Sequence, residues 1–398
     1  MRVVAEELDV EEPGELGFDV GALTRLGDAV RRDVASGRHH GAVLLVARGG
    51  RIGYLETIGH TDLARGREAA VDDIFLLMST GKAYTAALVL MAIDRGQLEF
   101  TTRIADVIPE FAVRGKQDVT VAQLLTHTGG TWAGFVPPPP YQWGPDWGDL
   151  EKMTAAVCAQ QLANRPGERV VYNPFASYGI LGEVVRRIDA GGRRFLDIGR
   201  EDLFEPLGMA DSSFGLALDD PRRVPLRMAE LTPGAAEVSV MESLNDIVDE
   251  NFELPAGMAF STIRDVLTFT EVLRRRGSLG QTRLLSPAIV DYAYRNHTGD
   301  KPNDFWDFNK EARRIAEFPA NFTYGGGYVR GVGDYLSPFG FTASERAFGS
   351  VGSGSTMWMI DPERELTFIF LSAGLLEGLA HFTRLRRLSD LALAAVID

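Results

Sequence analysis

The sequence predicts a mixed fold of the α/β (α+β) type, in which strands near both ends of the chain enclose a helical middle. Short apolar runs bounded by glycine or other turn residues are typical of strands, and they lie within residues 41–59 and again within 324–372. Between them, residues 104–207 show helical and loop-rich patterns. The fold class follows from this order of strands, helices and strands.

The length indicates more than one structural unit. A chain of 398 residues with 45% hydrophobic content can bury a large core and exceeds the usual size of one compact domain. We therefore expect a discontinuous sheet domain, residues 1–95 and 255–398, and a mainly helical domain, residues 96–254.

Local patterns place the individual elements in order along the chain. Residues 20–34 have apolar residues at helical spacing, and Gly49-Gly50 joins the buried runs on either side into a hairpin. A long apolar helix, residues 84–93, is closed by Gly96. The remaining predictions are a helix over 178–188, strands over 324–332, 347–350, 356–360 and 366–372, and a helix within 381–398.

Charge and residue usage exclude several classes of function. The formal net charge of -14 argues against a nucleic acid partner, because phosphate binding needs a basic face that this composition does not supply in bulk. No uncharged apolar stretch reaches the roughly 18 residues of a membrane span. The acidic N-terminus lacks the features of a secretory signal, so we expect a cytoplasmic protein with no membrane partner. The oligomeric state is left open.

Metal and thiol chemistry are also not indicated. The six histidines are scattered outside metal-binding motifs, so we expect no metal and no other cofactor. The single cysteine, Cys158, lies in a run of small apolar residues and excludes an intrachain disulfide. We expect it to be a buried core residue rather than a catalytic thiol.

The first candidate motif is Ser79-Thr80-Gly81-Lys82, just before the predicted apolar helix. Three residues span nearly one helical turn, so the serine hydroxyl and the lysine amine lie on one face within reach of each other. A lysine made neutral by burial can take the serine proton, and the helix N-terminus stabilises negative charge nearby. The alternative is structural, with Ser79 capping the helix and Lys82 facing solvent.

Tyr172 is the second candidate. It follows the turn Arg165-Pro166-Gly167 and a short extended stretch, and it precedes a predicted helix. A phenol at such a junction can point into a cleft and relay protons between a nucleophile, a lysine and a leaving group. The alternative is a core aromatic with a tethered hydroxyl.

The third candidate is a Gly-rich segment that contains Ser350, Gly352 and Ser353 and precedes an apolar strand. Small residues on a strand let a ligand approach the backbone closely. Exposed backbone N–H groups can then bind a carbonyl oxygen as negative charge builds on it. A Gly-rich hairpin loop is the alternative.

The order of these motifs resembles a known family. Ser-x-x-Lys, then Pro-Gly-x-x-x-x-Tyr ending at Tyr172, then a Gly-rich strand is similar to class C β-lactamases, D-Ala-D-Ala carboxypeptidases and family VIII carboxylesterases. Residues 124–130, 204–209, 255–262 and 361–363 also fit, so the resemblance spans about residues 42–373.

The resemblance implies a β-lactamase/penicillin-binding-protein-like fold: a central antiparallel sheet flanked by helices plus an all-helical region, with the active site between them. It implies that Ser79 is acylated and that Lys82 and Tyr172 share the acid–base work. The backbone N–H groups of Ser79 and Ser353 would form the oxyanion hole, with Ser350 and Gly352 on the same substrate-binding strand.

Two positions depart from the β-lactamase pattern. Ser350 stands where β-lactamases and carboxypeptidases carry Lys or His, whose donor helps to hold a substrate carboxylate. Pro174 stands where β-lactamases have an amide two residues after the tyrosine. Both departures favour an uncharged ester or amide substrate. His127 has the chemistry of a base, but its segment is structural in this family.

Tryptophans in two irregular segments are candidates for the rim of a cleft. Trp132, Trp143 and Trp147 flank a run of four prolines, and Trp306 lies in the second segment. A rigid surface loop is the alternative for the proline-rich segment.

These features favour a serine hydrolase with an acyl-enzyme on Ser79, most simply a carboxylesterase for a small or apolar neutral ester. An acyltransferase on the same scaffold would differ only in excluding water and admitting an acceptor. An amidase, peptidase or β-lactamase is a further alternative, opposed by the missing cation at Ser350. A catalytically inactive binding protein would have no need of Ser79, Lys82 and Tyr172 together.

Overall fold

The structure, a computed structural model, describes residues 8–134, 139, 141–142, 144, 146–229, 241–353, 355–376 and 378–397. Its strands, in chain order from β1 to β12, are Gly41–Arg48, Arg51–Asp62, Arg67–Glu68, Phe75–Leu76, Ser213–Phe214, Ala259–Ser261, Ser278–Leu279, Thr282–Arg283, Tyr328–Val329, Phe348–Gly352, Thr356–Asp361 and Leu366–Ala373.

The α-helices, α1 to α12, are Val20–Ala35, Lys82–Asp94, Ile104–Val107, Val121–Leu125, Leu150–Ala159, Ala176–Ile188, Phe195–Ile198, Leu244–Ile247, Ile263–Arg274, Pro287–Ala293, Asp307–Arg313 and Gly378–Leu393. Short 3₁₀ turns lie at Pro13–Leu16, Met78–Gly81, Pro109–Phe111, Glu205–Leu207 and Asp304–Trp306, and a π-helical turn at Gly199–Phe204.

Seven antiparallel strands form the central sheet, in the order β3-β2-β1-β12-β11-β10-β9. Strands from the two ends of the chain meet where β1 pairs with β12, with Gly41 opposite Ala373. The prediction of a mixed fold with strands from both chain ends is therefore confirmed.

The two faces of the sheet lie in separate cores, which explains why its central strands read as continuous apolar runs. Successive side chains of a strand point to opposite faces. On β12, Phe368 and Phe370 pack with α1 and α12, whereas Ile369 and Leu371 pack in the larger core with α2 and α9. The helices therefore flank the sheet on both sides.

Helix α2 is buried along nearly its whole length, from Lys82 to Ala92. It packs against α6 in the larger core. The candidate lysine, in the first turn of α2, therefore lies where the sheet and the helical region meet.

A small sheet of β4, β6 and β5 joins residues of both predicted domains, because β5 lies within 96–254 and β6 lies beyond 255. The division into two domains stays a prediction.

One predicted strand is much shorter than expected. Of residues 324–332, only Tyr328 and Val329 form a strand, against β10. The backbone at Gly326 and Gly331 has φ of 77° and 64°, in the left-handed region that strands do not use. The glycines bend the chain on both sides of β9, so this stretch cannot stay extended.

Cys158 is buried, as predicted, and burial raises the pKa of its thiol to about 11. Among the residues that the structure describes, no helix combines the length and apolar character needed to cross a membrane. Nor do the described ranges bring together three or more His, Cys, Asp or Glu side chains that could hold a metal ion.

Candidate active site

Ser79 lies in the 3₁₀ turn Met78–Gly81, between β4 and the first residue of α2. The preceding residue, Leu77, is held on both sides: its N–H donates to the Ala259 carbonyl at 2.8 Å, and its carbonyl accepts from Thr356 Oγ1 at 2.8 Å. Met78 has φ of 52°, a conformation that costs a non-glycine residue about 1–3 kcal/mol. The turn is therefore fixed by its neighbours at a strained backbone position.

The end of β10 comes unusually close to this turn. A Cβ atom added to Gly352 would collide with the Leu77 carbonyl, and Thr80 and Thr356 would be close beside it. Only glycine allows this approach. Gly352 therefore brings the following residue, Ser353, to the same pocket wall as Ser79.

Lys82 is 2% exposed, and its Nζ lies 3.2 Å from Ser79 Oγ. Nζ also donates to two backbone carbonyls, that of Pro174 at 2.9 Å and that of Ala256. Burial lowers the pKa of the amine to about 7. A neutral amine has two N–H donors and one lone pair, so the two carbonyls take the donors and the lone pair is left for the serine hydroxyl.

Tyr172 is the second side chain that contacts Ser79. Its hydroxyl donates to Ser79 Oγ at 2.6 Å, and burial raises the pKa of the phenol. The tyrosine is placed by its backbone N–H, which donates to Asn303 Oδ1 at 2.9 Å. The structure thus brings together the three residues that the sequence predicted as catalytic.

The environments of Lys82 and Tyr172 move their pKa values in opposite directions. Desolvation disfavours the charged form of each group, so it lowers the pKa of the amine and raises that of the phenol. Near neutral pH a large fraction of Lys82 is able to accept a proton, while Tyr172 keeps its proton. Such a separation is typical of sites in which one group acts as a base and the other as a proton donor.

We expect any acyl transfer to Ser79 to become faster as the pH rises through about 7, because Lys82 must lose its proton before it can accept that of Ser79. Below that pKa, kcat/KM should fall about tenfold per pH unit, as for any reaction that needs an unprotonated base. The raised pKa of Tyr172 predicts no fall between pH 8 and 9. The measurement is kcat/KM for a p-nitrophenyl ester from pH 5.5 to 9; a flat or falling profile across that range would contradict the assignment of Lys82.

The pocket in front of Ser79 is almost entirely apolar. Its described polar lining consists of Ser79, Tyr172, Tyr328, Ser353 and His381, and burial keeps the pKa of the His381 imidazole well below its usual range. No carboxylate, lysine or arginine belongs to the part of the wall that the structure describes. The rest of the wall is formed by Met78, Pro174, Phe175, Met241, Ala256, Gly257, Met258, Phe305, Trp306, Val351, Gly378 and Phe382.

The predicted substrate-binding residues at the end of β10 and just after it separate into two groups. Ser353 is exposed and lines the pocket. Ser350 is 1% exposed, and its hydroxyl donates to the Gly326 carbonyl at 3.1 Å. Its direct contact with substrate is therefore a wrong prediction, because the side chain is used inside the fold. Gly352 acts through its lack of a side chain rather than through a contact of its own.

The candidate rim tryptophans also differ in position. Trp306 is half-buried and lines the pocket, where it packs against Phe382. Trp147 is 6% exposed and packs edge-on against Phe175 and Phe252 in the larger core, so its assignment to the rim is wrong. Trp132 packs against the same core and is not part of the pocket wall. Trp143 lies outside the described residues.

Sequence reasoning missed the residues that hold Lys82. By residue type, Pro174 indicates only the loss of a polar side chain, yet its carbonyl accepts a hydrogen bond from the lysine amine. Ala256 does the same from the loop before β6. Backbone carbonyls carry no signal in residue type, so no motif could have indicated them. His381 was missed because it lies on α12, far from the motifs in sequence.

The structure combines an antiparallel sheet flanked by helices with a serine that contacts both a buried lysine and a tyrosine. This combination defines the class of proteins built on the β-lactamase fold. The family model for beta-lactamase matches residues 26–392 of this chain, and the protein belongs to that family. The predicted resemblance and fold are thereby confirmed.

Individual relatives are of several kinds. Protein Rv1367c of Mycobacterium tuberculosis (strain ATCC 25618 / H37Rv) is 27% identical over 371 residues, 86% of this chain and 88% of that protein. Esterase EstB of Burkholderia gladioli is 30% identical over 319 residues, 72% of this chain and 78% of EstB. The crystal structure of a penicillin-binding protein homologue from Caulobacter crescentus superimposes with a TM-score of 0.74 at 25% identity, covering 95% of this chain and 99% of that chain.

Proposed function

We propose that this protein is a serine carboxylesterase that acts on esters whose acyl and alcohol groups are uncharged and largely apolar. The observation that carries the proposal is Ser79 Oγ, held 3.2 Å from the Lys82 amine and 2.6 Å from the Tyr172 hydroxyl beside an apolar pocket. The similarity to an esterase from Burkholderia gladioli supports the same reaction class.

The first half of the reaction forms an acyl-enzyme. Ser79 Oγ bonds to the ester carbonyl carbon while its proton passes to the lone pair of Lys82 Nζ. The carbonyl oxygen becomes an oxyanion, for which we assign the backbone N–H groups of Ser79 and Ser353 as donors, since both residues line the pocket. The C–O bond to the alcohol then breaks, and the leaving oxygen takes the proton of Tyr172, which is restored from Lys82.

The second half reverses the same steps with water. A water molecule occupies the place of the departed alcohol and loses a proton to the same pair of groups as it attacks the acyl carbon. The Ser79 ester bond breaks, and Ser79 Oγ recovers its proton. One lysine and one tyrosine therefore serve both halves of the reaction.

The composition of the wall determines which esters are accepted. A charged substrate group enters this pocket only if it loses its hydration without gaining an opposite charge in the described wall. Ser350, at the position where a cation holds a carboxylate in β-lactamases, is buried and hydrogen-bonded within the fold. An apolar group, by contrast, gains about 25 cal/mol for each Å² of surface removed from water.

The matched test compares p-nitrophenyl butyrate with the p-nitrophenyl monoester of succinic acid, whose acyl chain has the same number of carbons and ends in a carboxylate. We expect kcat/KM to be at least about tenfold higher for butyrate, since burial of an unpaired charge is costly. Nitrocefin, a β-lactam that carries a carboxylate, should be turned over more slowly still.

Equal turnover of the succinyl ester, or faster turnover of nitrocefin than of butyrate, would contradict the proposed specificity. An absence of any ester turnover would contradict the reaction class. Addition of methanol during turnover, with analysis for methyl butyrate, then separates hydrolysis from acyl transfer, because both reactions share the acyl-enzyme.

A further inference from the structure

His127 holds the peptide units on both sides of Tyr172. The Val171 N–H donates to the His127 carbonyl at 3.1 Å. The Asn173 N–H donates to His127 Nδ1, also at 3.1 Å. With Asn303 accepting from Tyr172 itself, the N–H groups of three consecutive residues are all bound, and two of the three acceptors belong to one histidine.

The imidazole also packs directly on the tyrosine. The ring centroids of His127 and Tyr172 are 4.6 Å apart, and Phe322 packs against both rings, with its centroid 4.9 Å from that of the imidazole and 6.1 Å from that of the phenol. His127 is 4% exposed. The phenol ring is thus fixed at its backbone and on its face by the same residue.

The state of the imidazole suits a role in positioning rather than in proton transfer. A ring nitrogen that accepts from a backbone N–H carries no proton, so Nδ1 of His127 is the unprotonated nitrogen. Burial and the nearby charge of Lys82 hold the pKa of the ring well below its usual range. His127 therefore stays neutral, with its basic lone pair already used by Asn173.

The backbone of His127 is strained in a way that serves this contact. Its φ is 57°, in the left-handed region, which non-glycine residues adopt at a cost and retain only when their surroundings require it. In this conformation the carbonyl and the side chain of His127 both reach the segment 171–173.

We propose that His127 is the positioning residue for Tyr172, holding the segment 171–173 so that the phenol stays within hydrogen-bond distance of Ser79. The inference rests on the proposed function, because the consequence of positioning is measured as ester turnover. It predicts that the acceptor at Nδ1 matters more than the volume of the ring.

Three variants separate the acceptor from the backbone strain. Asparagine tolerates the left-handed region and offers Oδ1 to the Asn173 N–H, so His127→Asn should keep kcat within about fivefold of wild type. Glycine tolerates the same backbone but has no acceptor, and leucine fills volume without an acceptor. For His127→Gly and His127→Leu we expect kcat to fall about 10- to 100-fold, as a misplaced catalytic group typically causes, with KM within about twofold.

The control is His297→Leu. It removes an imidazole whose ring centroid lies 3.6 Å from that of Tyr324 and which is not part of the described pocket wall, so kcat should be unchanged. A crystal structure of each variant gives a readout that does not depend on turnover. The Tyr172 hydroxyl should keep its contact with Ser79 Oγ in His127→Asn and lose it in His127→Gly.

The inference is overturned if His127→Gly keeps wild-type kcat, if His127→Asn is as slow as His127→Gly, or if the tyrosine does not move in His127→Gly. Failure of the proposed function looks different, because wild-type protein would then show no ester turnover. In that event the position of Tyr172 in the variant structures still decides whether His127 holds it.

Discussion

Replacement of Ser79 by alanine is expected to lower kcat/KM for p-nitrophenyl butyrate by at least about ten-thousand-fold, the scale seen when a nucleophile is removed from a preorganised acyl-transfer site. The loss follows from the geometry. Ser79 Oγ is the atom on which both Lys82 Nζ and the Tyr172 hydroxyl converge, so without it neither group has a reaction to assist. Any turnover that remains comes from water attack in the pocket.

Ser389→Ala is the matched control for this change. Ser389 is a buried serine of α12 whose hydroxyl donates to the Pro338 carbonyl at 3.1 Å, outside the pocket wall. The Ser389→Ala variant should retain wild-type turnover. Equal melting temperatures for wild type and Ser79→Ala would show that the loss is chemical. If Ser79→Ala kept more than about a tenth of wild-type kcat/KM, a scale far above the residual rate of a site without its nucleophile, Ser79 could not be the acylated residue.

Replacement of Lys82 by methionine should lower kcat by at least about 100-fold, the usual effect of losing a general base. Methionine has nearly the same length and is uncharged, so it tests the base rather than the packing. The variant should also lose the rise of activity through pH 7, because that rise reports the Lys82 amine.

Lys116→Met is the control, since Lys116 is a second buried lysine, 1% exposed, whose amine also donates to a backbone carbonyl, that of Gln160. It lies outside the described pocket wall. The control should keep both kcat and the pH profile. Near-normal kcat in Lys82→Met, or an equal loss in Lys116→Met, would remove Lys82 from its role as base.

The candidate catalytic side chains were predictable because their chemistry is local in sequence or marked by a motif. Ser79 and Lys82 are three residues apart at the start of one helix, and Tyr172 follows a recognisable Pro-Gly turn. Their convergence within 3.2 Å could be expected only from the order of the motifs, since no spacing along the chain relates position 82 to position 172.

The pKa values and positions of these side chains were not predictable, because they depend on burial and on hydrogen bonds to backbone groups. Burial lowers the pKa of Lys82, and the carbonyls of Pro174 and Ala256 that hold its amine could have been supplied by any residue type. His127 is similar, because one of its two hydrogen bonds to segment 171–173 is accepted by its backbone carbonyl. A sequence pattern records side chains, and these contacts do not depend on them.

The two errors in the predicted site have a common physical cause, which is that tertiary packing decides the orientation of a side chain. Trp147 looked like a rim residue because it follows a proline-rich loop, but its ring is buried between Phe175 and Phe252. Ser350 lies on the correct strand, yet strand alternation turns its hydroxyl away from the pocket toward Gly326.

The central claim is that Ser79 carries the acyl group during turnover. The direct measurement is to mix the enzyme with p-nitrophenyl butyrate, quench with acid within milliseconds, digest, and determine the mass of the peptide that contains Ser79. The account predicts a butyryl adduct on Ser79 in wild type and no adduct in Ser79→Ala. A butyryl group on another residue, or full turnover with no covalent adduct at any quench time, would contradict it.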